Sequence, residues 1–252
     1  METEEQVKQL QRILQISEKT VFFTGAGVST DSGIPDFRSK DGLYRQKYAV
    51  SPEEMISHHF FMQNTEEFYR FYKDRMLYPE AKPNAVHRFI ASYEKTGKSL
   101  GVVTQNIDGL HQKAGSKKVF ELHGSVLRNY CMDCGAFYPL SAVTEAEGIP
   151  RCQKCGGIIK PDVVLYEEGL SEDVLMGAVE AISQADALVV LGTSLVVYPA
   201  AGLLRYFRGN QLILINRDTT PFDDTADLVI HASFDSIFPA LQAVEEDGSQ
   251  LQ

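Results

Sequence analysis

The sequence predicts an α/β fold in which a doubly wound parallel sheet carries a cysteine-rich insert. Residues 187–191 and 211–215 are continuous apolar runs, which are typical of parallel strands buried on both faces. Strand-like runs alternate with segments of helical periodicity, and this alternation favours a parallel sheet covered by helices. From residue 130 to about 160 the pattern changes, because cysteine, glycine and proline become frequent and helical periodicity is lost. We interpret that segment as an inserted module.

The other elements can be assigned in chain order. Apolar residues recur at helical spacing between Val7 and Ile16, which predicts an opening amphipathic helix. The aromatic-rich segment 41–81 predicts a small helical layer that lies over the sheet, in the place of a lid. A further helix is predicted at 84–93, where the apolar side chains share one face. Strands are predicted at 20–23, 99–104, 119–122, 187–191 and 211–215.

The composition is that of an ordinary globular protein. The 252 residues, 44% hydrophobic and 23% charged, suffice for one large domain or a main domain with a smaller insert. The net charge of −10 argues against a nucleic-acid partner and suits a basic or lysine-bearing one. Apolar runs are too short for a membrane span, and the first residues are acidic where presequences are basic. We therefore expect a cytoplasmic monomer with no nucleic-acid or membrane partner.

A glycine-rich stretch, Gly25 to Arg38, follows the first predicted strand. Closely spaced glycines after a strand let backbone N–H groups approach a phosphate. The stretch does not match the dinucleotide fingerprint G-x-G-x-x-G, because Gly33 comes too late, and it lacks the lysine of a P-loop. It predicts nucleotide binding by an unusual loop. Asp36 and Arg38 within it suit either ligand contacts or a surface ion pair.

Four cysteines form two C-x-x-C pairs with seventeen residues between them, Cys131 with Cys134 and Cys152 with Cys155. This spacing is that of a zinc ribbon, in which two knuckles supply four thiolates to one tetrahedral Zn²⁺. A redox dithiol needs one pair rather than two. With four sulfur ligands and no open position, the site is predicted to be structural.

Short segments with polar residues follow four of the predicted strands, at the edge where α/β sheets bind ligands. These segments contain Thr104, Gln105, Asn106, Ile107 and Asp108, then His123, then Gly192, Thr193 and Ser194, and finally Asn216. Asn106 and Asp108 suit hydrogen bonds to an amide or a ribose hydroxyl, and a polar turn explains them equally well. His123 suits a general base near neutral pH or a packing residue. The groups after the last two strands suit ribose and phosphate, or helix caps.

Together these segments resemble the sirtuins, the NAD⁺-dependent protein-lysine deacylases, in a compact bacterial form. The resemblance runs from about Val7 to Leu241, and it is carried by Gly25 to Ser39, Thr104 to Asp108, Glu121 to Gly124, the paired cysteines, Gly192 to Leu195, and Asn216. It implies a Rossmann-like NAD-binding domain and a small domain made of a zinc ribbon and a helical insert. The implied boundaries are 1–40, 82–129 and 161–245 for the large domain, 41–81 for the helical insert, 130–160 for the zinc ribbon and 246–252 for a flexible tail.

The resemblance also implies roles for individual residues. The implied NAD⁺ contacts are Gly25, Ala26, Gly27, Thr30, Asp36, Phe37, Arg38, Gln105, Asn106, Ile107, Asp108, His123, Gly192, Thr193, Ser194, Asn216 and Asp235. Among them, Phe37 is expected to shield the reacting C1′ from water, and Asp108 to accept a hydrogen bond from the nicotinamide carboxamide. His123 is expected to act as general base, with Asn106 as a second catalytic residue. The implied peptide contacts are Ile107, Val164, Leu165 and Tyr166.

The implied reaction is NAD⁺-dependent deacetylation of protein lysines. The acyl oxygen attacks C1′ of the ribose and nicotinamide leaves, in a site that must exclude water. His123 then activates a ribose hydroxyl, and the products are nicotinamide, free lysine and O-acetyl-ADP-ribose. The alternatives are a mono-ADP-ribosyltransferase that uses the same NAD pocket, a hydride-transferring dehydrogenase, and a zinc-ribbon binding module that only senses NAD⁺.

The chain departs from the family pattern at two places. In the segment expected to pair with the substrate, Glu167 stands where glycine is usual, and Glu168 follows it. These two carboxylates predict a preference for peptides with basic flanks. Members that favour succinyl-lysine carry a tyrosine and, three residues on, an arginine, whereas this chain has Tyr69 and Tyr72. Because a buried carboxylate without a partner is costly, we expect neutral acyl groups to be preferred over succinyl.

Overall fold

Two sheets organise the chain, and the computed structural model describes residues 2–36 and 50–248 of it. The strands are β1 Thr20–Thr24, β2 Ser99–Thr104, β3 Val119–Glu121, β4 Gly124–Cys131, β5 Phe137–Pro139, β6 Ile159–Val163, β7 Ala187–Leu191, β8 Gln211–Ile215 and β9 Leu228–Ile230. The larger sheet has the order β3-β2-β1-β7-β8-β9 and is parallel throughout. The smaller one has the antiparallel order β5-β4-β6. The five predicted strands are confirmed as β1, β2, β3, β7 and β8, and a Rossmann-like sheet with a second small domain is the observed fold.

Helices surround both sheets. They are α1 Glu2–Ile16, α2 Pro52–Met55, α3 His58–Gln63, α4 Thr65–Arg75, α5 Ala85–Glu94, α6 Leu110–Ala114, α7 Ser141–Thr144, α8 Glu172–Gln184 and α9 Phe234–Gly248, with 3₁₀ helices at Ala26–Ser32, Ala200–Tyr206 and Asp223–Thr225. The opening helix and the helix at 84–93 are confirmed as α1 and α5. Helix α9 includes residues 246–248 of the segment expected to be a tail, and the small sheet extends beyond 130–160 at both ends. The domain boundaries stay predictions. In the part of the chain that the structure describes, each helix is too short or too polar to cross a bilayer.

Strand β1 shows why both faces of the large sheet are apolar. Phe22 lies on one face, where its ring meets Phe89 and Tyr93 of α5 edge-on at centroid distances of 6.4 and 5.4 Å. Val21 and Phe23 lie on the other face, in a core completed by α8 and the 3₁₀ helix Ala200–Tyr206. Full burial of each such side chain contributes about 1.5–3 kcal/mol to the free energy of folding. The apolar runs therefore reflect two cores, one on each face.

The aromatic helical layer does not lie over the large sheet as predicted. Helices α2, α3 and α4 pack instead on the small sheet, where Phe61, Phe68, Tyr69 and Tyr72 are almost completely buried against residues that include Val126 of β4. The physical reason is that both faces of the large sheet are already covered. The helical layer and the zinc ribbon therefore share one core, as the family resemblance implies.

Candidate active site

A cleft of about 720 Å³ opens at the carboxyl edge of the large sheet. Strand β1 lies between β2 and β7, so the loops after these strands leave the sheet at its topological switch point, where α/β folds bind ligands. The predicted site residues that line the cleft are Gly25, Ala26, Gly27, Thr30, Asp36, Gln105, Asn106, Ile107, Asp108, His123, Val164, Leu165, Tyr166, Gly192, Thr193, Ser194 and Asn216. Asp235 is not among the lining residues, although Phe234 beside it is. Phe37 and Arg38 lie outside the described residues.

The glycines after β1 and β7 pack backbone against backbone. The N–H of Gly25 donates to the carbonyl of Leu191 at 3.0 Å, and the N–H of Gly27 donates to the carbonyl of Gly192 at 2.9 Å. A Cβ on Gly27 would lie 2.8 Å from the Cα of Gly192, and Gly192 itself has φ +60°. Close approach of these two loops is therefore one reason for glycine here, besides the approach to a phosphate.

The misplaced glycine of the first loop, Gly33, has a local explanation. The loop folds into the 3₁₀ helix Ala26–Ser32, and Gly33 ends it with φ +83° and an N–H that donates to Thr30. Asn84, at the start of α5, holds this helix from outside, since its amide donates to the carbonyl of Val28 at 2.7 Å and to the hydroxyl of Ser32 at 3.0 Å. Gly33 is a cap rather than a phosphate-binding glycine.

Three polar side chains meet where the first loop crosses the loop after β2. The hydroxyl of Ser29 donates to Asp108 Oδ2 at 2.7 Å, and the amide of Asn106 donates to Ser29 Oγ at 3.0 Å. The other carboxylate oxygen of Asp108 accepts from the N–H of Leu110 at 2.8 Å. Burial raises the pKa of Asp108, although these hydrogen bonds oppose the shift. Ser29 was not among the predicted site residues, because its role depends on Asp108, which lies 79 residues away in the sequence.

His123 lies between β3 and β4, and its tautomer is fixed by a hydrogen bond. Its Nδ1 lies 2.9 Å from the carbonyl oxygen of Gln105, which can only accept, so Nδ1 carries the proton and Nε2 is the basic nitrogen. Burial lowers the pKa of His123, and the hydrogen bond to Gln105 only partly opposes this. The side chain of Gln105 in turn donates to Thr193 Oγ1 at 3.0 Å, which links the loops after β2 and β7. A neutral, oriented imidazole in a cleft suits a general base.

Two further histidines lie behind the cleft and are packing residues. The rings of His87 and His111 stand 4.8 Å apart, both fully enclosed. His111 Nε2 is 3.0 Å from the hydroxyl of Thr24, which donates to the hydroxyl of Thr104 at 2.9 Å. These contacts join the last residues of β1 and β2, directly before the loops that carry the site.

The expected peptide segment, Val164 to Tyr166, forms one wall of the cleft, which we call the peptide wall. The N–H of Val164 donates to the carbonyl of His123 at 3.0 Å, which joins this wall to the candidate base. At the other end, the N–H of Tyr166 donates to Ile56, and its carbonyl accepts from the N–H of His58 at 2.9 Å. The wall is thus fastened at both ends, to the segment between β3 and β4 and to the helical layer.

The acyl-selecting positions do not reach the cleft. Tyr69 and Tyr72 are absent from its described lining; both are buried in the aromatic core, and the Tyr69 hydroxyl donates to the carbonyl of Ile159. Arg70 is exposed and pairs with Glu67 at 2.9 Å. The apolar residues that line the cleft include Ile56, Met76, Val126, Leu140, Val163 and Leu165.

The far end of the cleft is polar and mostly acidic. Arg217 lies 4.0 Å from Asp36, beside Asn216, whose amide donates to the carbonyl of Asp218 at 2.8 Å. Burial raises the pKa of Asp31, and the negative charge of Asp235 adds to the shift. The positive charge of Arg217 opposes the shift.

The four cysteines converge as predicted. Their sulfur atoms all lie within 4.8 Å of one another, with 3.4 Å between Cys131 and Cys155 and 3.6 Å between Cys134 and Cys152. These separations are too long for disulfides, and they suit a tetrahedral zinc site, whose sulfur–sulfur edges are about 3.8 Å. Each knuckle is closed by a backbone hydrogen bond, from Gly135 to Cys131 and from Gly156 to Cys152. The donor set fits one structural Zn²⁺.

Comparison with known proteins gives consistent matches. A model of the Sir2 family matches residues 25–199. An NAD-dependent protein deacetylase of Clostridium acetobutylicum is 57% identical over 243 residues, covering 95% of this chain and 98% of that protein. Another, from Clostridium perfringens, is 56% identical over 93% of this chain and 97% of its own length.

Solved Sir2 structures match the fold as well. A Sir2 structure with a p53 peptide and NAD⁺ has a TM-score of 0.82 at 40% identity, covering 96% of this chain and 98% of that one. A Sir2 structure with a deacetylated p53 peptide and 3′-O-acetyl-ADP-ribose has a TM-score of 0.85 at 41% identity, with the same coverage.

Proposed function

Because the chain belongs to the Sir2 family, we infer that it is an NAD⁺-dependent protein-lysine deacetylase with one structural zinc ion. Its products are nicotinamide, free lysine and O-acetyl-ADP-ribose. The observation that carries the mechanism is the environment of His123, a neutral imidazole held by Gln105 between the glycine-rich loop and the peptide wall. NAD⁺ supplies the ADP-ribose that accepts the acetyl group.

We propose that different parts of the cleft bind different parts of NAD⁺. The loops after β1 and β7 offer closely packed backbone and the hydroxyls of Thr193 and Ser194 for the phosphates and ribose. The Ser29–Asn106–Asp108 group offers hydrogen bonds to the nicotinamide amide. His123 Nε2 is placed to take a proton from a ribose hydroxyl, since Nδ1 is committed to Gln105. The roles of the individual residues are our proposal.

We propose that neutral acyl groups are preferred over succinyl. The wall nearest the peptide segment is apolar, and the two arginines close in sequence to Tyr69 and Tyr72 do not line the cleft: Arg70 pairs with Glu67, and Arg75 pairs with Asp74. A succinyl carboxylate on this side would lose water without gaining a cation. Acetyl and other small neutral groups lose little free energy of hydration when they are buried here.

The second candidate, a mono-ADP-ribosyltransferase, is not favoured, since it has no use for an oriented base at His123. We further propose a monomer in the cytoplasm that binds no nucleic acid. The net charge of −10 supports the last point, and the use of all four cysteines as a metal cluster rather than disulfides supports a reducing compartment.

The test is mass spectrometry of the products formed from NAD⁺ and a panel of acyl-lysine peptides. Nicotinamide, deacylated peptide and O-acetyl-ADP-ribose in equal amounts are expected with the acetyl peptide. The succinyl peptide should react more slowly. ADP-ribosylated protein as the main product would establish the transferase instead, and NAD⁺ left intact with every peptide would leave only a sensor.

A further inference from the structure

Glu167 has an unusual backbone for its residue type. Its φ is +78°, in the left-handed region that glycine enters freely and that a glutamate side chain disfavours. It stands directly after Tyr166 in the peptide wall, and it lines the cleft. A non-glycine residue keeps such a conformation only where its surroundings hold it there.

The surroundings that hold it are provided by His59, in the first turn of α3. Glu167 Oε2 accepts from the backbone N–H of His59 at 3.0 Å, and Oε1 lies 2.8 Å from His59 Nδ1. Because a carboxylate only accepts, Nδ1 carries the proton. Ser57 Oγ, which donates to the carbonyl of Glu54, lies 3.1 Å from the same nitrogen and helps to orient the ring. We call the two-bond contact of Glu167 with His59 the clasp.

The next residue, Glu168, is fully engaged as well. One oxygen lies 2.9 Å from His58 Nδ1, and the other accepts from the N–H of Leu165 at 2.9 Å and from Lys160 Nζ at 3.1 Å. Both carboxylates of this turn therefore have partners within the protein. This argues against the sequence-based expectation that they select basic residues in the peptide.

We propose that Glu167 is a positioning residue for the peptide substrate: the clasp holds the turn after Tyr166 in the left-handed conformation and so fixes the peptide wall against the helical layer. The inference rests on the proposed deacetylase function. Glycine, usual at this position in the family, adopts the same backbone without help but leaves it free to move. In this chain the clasp between Glu167 and His59 restricts that motion.

The variants Glu167→Ala, Glu167→Gly, Glu167→Gln and His59→Ala separate the contributions. Alanine keeps the backbone cost and loses the clasp, so the peptide KM should rise about tenfold. The Glu167→Gly variant loses the clasp but also removes the cost of the left-handed backbone. Its peptide KM should therefore rise only about threefold. Glutamine keeps an acceptor for the His59 N–H and should remain within about twofold of wild type. His59→Ala should fall between glutamine and alanine.

Two measurements distinguish positioning from a loss of stability. The KM for NAD⁺ and kcat should stay within about twofold of wild type in every variant, because the cofactor side of the cleft is carried by other loops. Direct binding of a fluorescent acetyl-lysine peptide should weaken in the same order as KM rises. Glu147→Ala, which removes an exposed glutamate of the small domain, is the matched control and should change neither.

The possible results distinguish a failure of the proposed function from a failure of the proposed clasp. A wild-type protein that does not deacetylate any peptide would overturn the proposed function. An active wild type whose peptide KM is unchanged by Glu167→Ala would overturn the clasp alone. Wild type should also treat acetyl peptides with lysine or glutamate flanks alike, within about twofold. A strong preference for lysine flanks that disappears in Glu167→Gly would show that the carboxylate reads the peptide directly, contrary to our proposal.

Discussion

Ser29 and Asp108 are joined by a 2.7 Å hydrogen bond across the two loops that meet at the centre of the cleft. The hydroxyl is committed to the carboxylate, and its oxygen accepts from the amide of Asn106. One serine therefore orients both of the side chains proposed to bind the nicotinamide amide.

Replacing Ser29 with alanine should raise the KM for NAD⁺ and lower kcat/KM about tenfold. Asp108 would lose a hydrogen bond that opposes the rise of its pKa, and the Asn106 amide would lose its acceptor. Steady-state kinetics with NAD⁺ varied would measure this. The matched control is Ser183→Ala on the exposed side of α8, which should leave both constants unchanged. A Ser29→Ala enzyme with normal kinetics would refute the proposed arrangement.

Replacing His123 with alanine should abolish deacetylation while sparing the exchange of free nicotinamide into NAD⁺. The imidazole is proposed to act after nicotinamide has left, so only the later step needs it. Radiolabelled nicotinamide, with an acetyl peptide present, would follow the exchange. Loss of both activities in a variant that keeps its melting temperature would contradict this order of events.

The pH dependence of kcat/KM should show an acidic limb with its midpoint below 6.5. A general base works in its neutral form, so the rate falls as pH falls through its pKa, and burial lowers the pKa of His123 from 6.5. Measurement of kcat/KM for the acetyl peptide from pH 5 to 9 would locate the limb. A midpoint above 6.5 would assign the limb to another group.

His87 should make stability fall on the acid side. Burial, with the charge of Arg88, lowers the pKa of His87 from 6.5 to about 4. Between these values the unfolded chain binds a proton that the native protein excludes, so the free energy of unfolding decreases as pH falls, by about 3 kcal/mol in total. Melting temperatures from pH 7 to 4.5 should therefore drop less steeply in His87→Gln than in wild type.

Tyr138 should slow the loss of zinc. Its oxygen accepts from the N–H of Gln153 at 2.9 Å and lies 3.1 Å from Cys152 Sγ. A metal-bound thiolate only accepts, so the tyrosine hydroxyl donates to it. Removing such an outer hydrogen bond typically weakens metal binding about tenfold or more. Tyr138→Phe should release Zn²⁺ to a colorimetric chelator faster than wild type, whereas Tyr130→Phe, on the exposed side of β4, should not.

The sequence patterns predicted the elements whose signal is local. The strands β7 and β8 are continuous apolar runs, and the cysteine spacing alone indicated the metal cluster. The edge strand β9 was missed because three residues, Leu228 to Ile230, are too few to show a period. The position of the aromatic layer was wrong because helical periodicity tells that a face is buried, not what buries it.

In the candidate site, too, only residues with a local sequence signal were predicted. His123 and Asp108 were predicted because they follow strands, and parallel strands bring their ends together. Ser29 was missed because its role depends on a partner 79 residues away. The engagement of Glu167 likewise depends on His59, 108 residues distant. Such pairings come from the tertiary fold and leave no local pattern.

The parallel bridge between Ser57 and Tyr166 has a mechanical consequence. It makes the peptide wall part of the helical layer, whereas the cofactor loops extend from the large sheet. Two backbone hydrogen bonds connect the small domain to the residues of the cofactor side: the N–H of Val164 donates to the carbonyl of His123, and the N–H of Val126 donates to the carbonyl of Ile107. A shift of one body against the other would change the gap between acetyl-lysine and ribose while leaving each ligand's own contacts intact. The relative position of the two bodies is therefore as important for the reaction as the contacts within each of them.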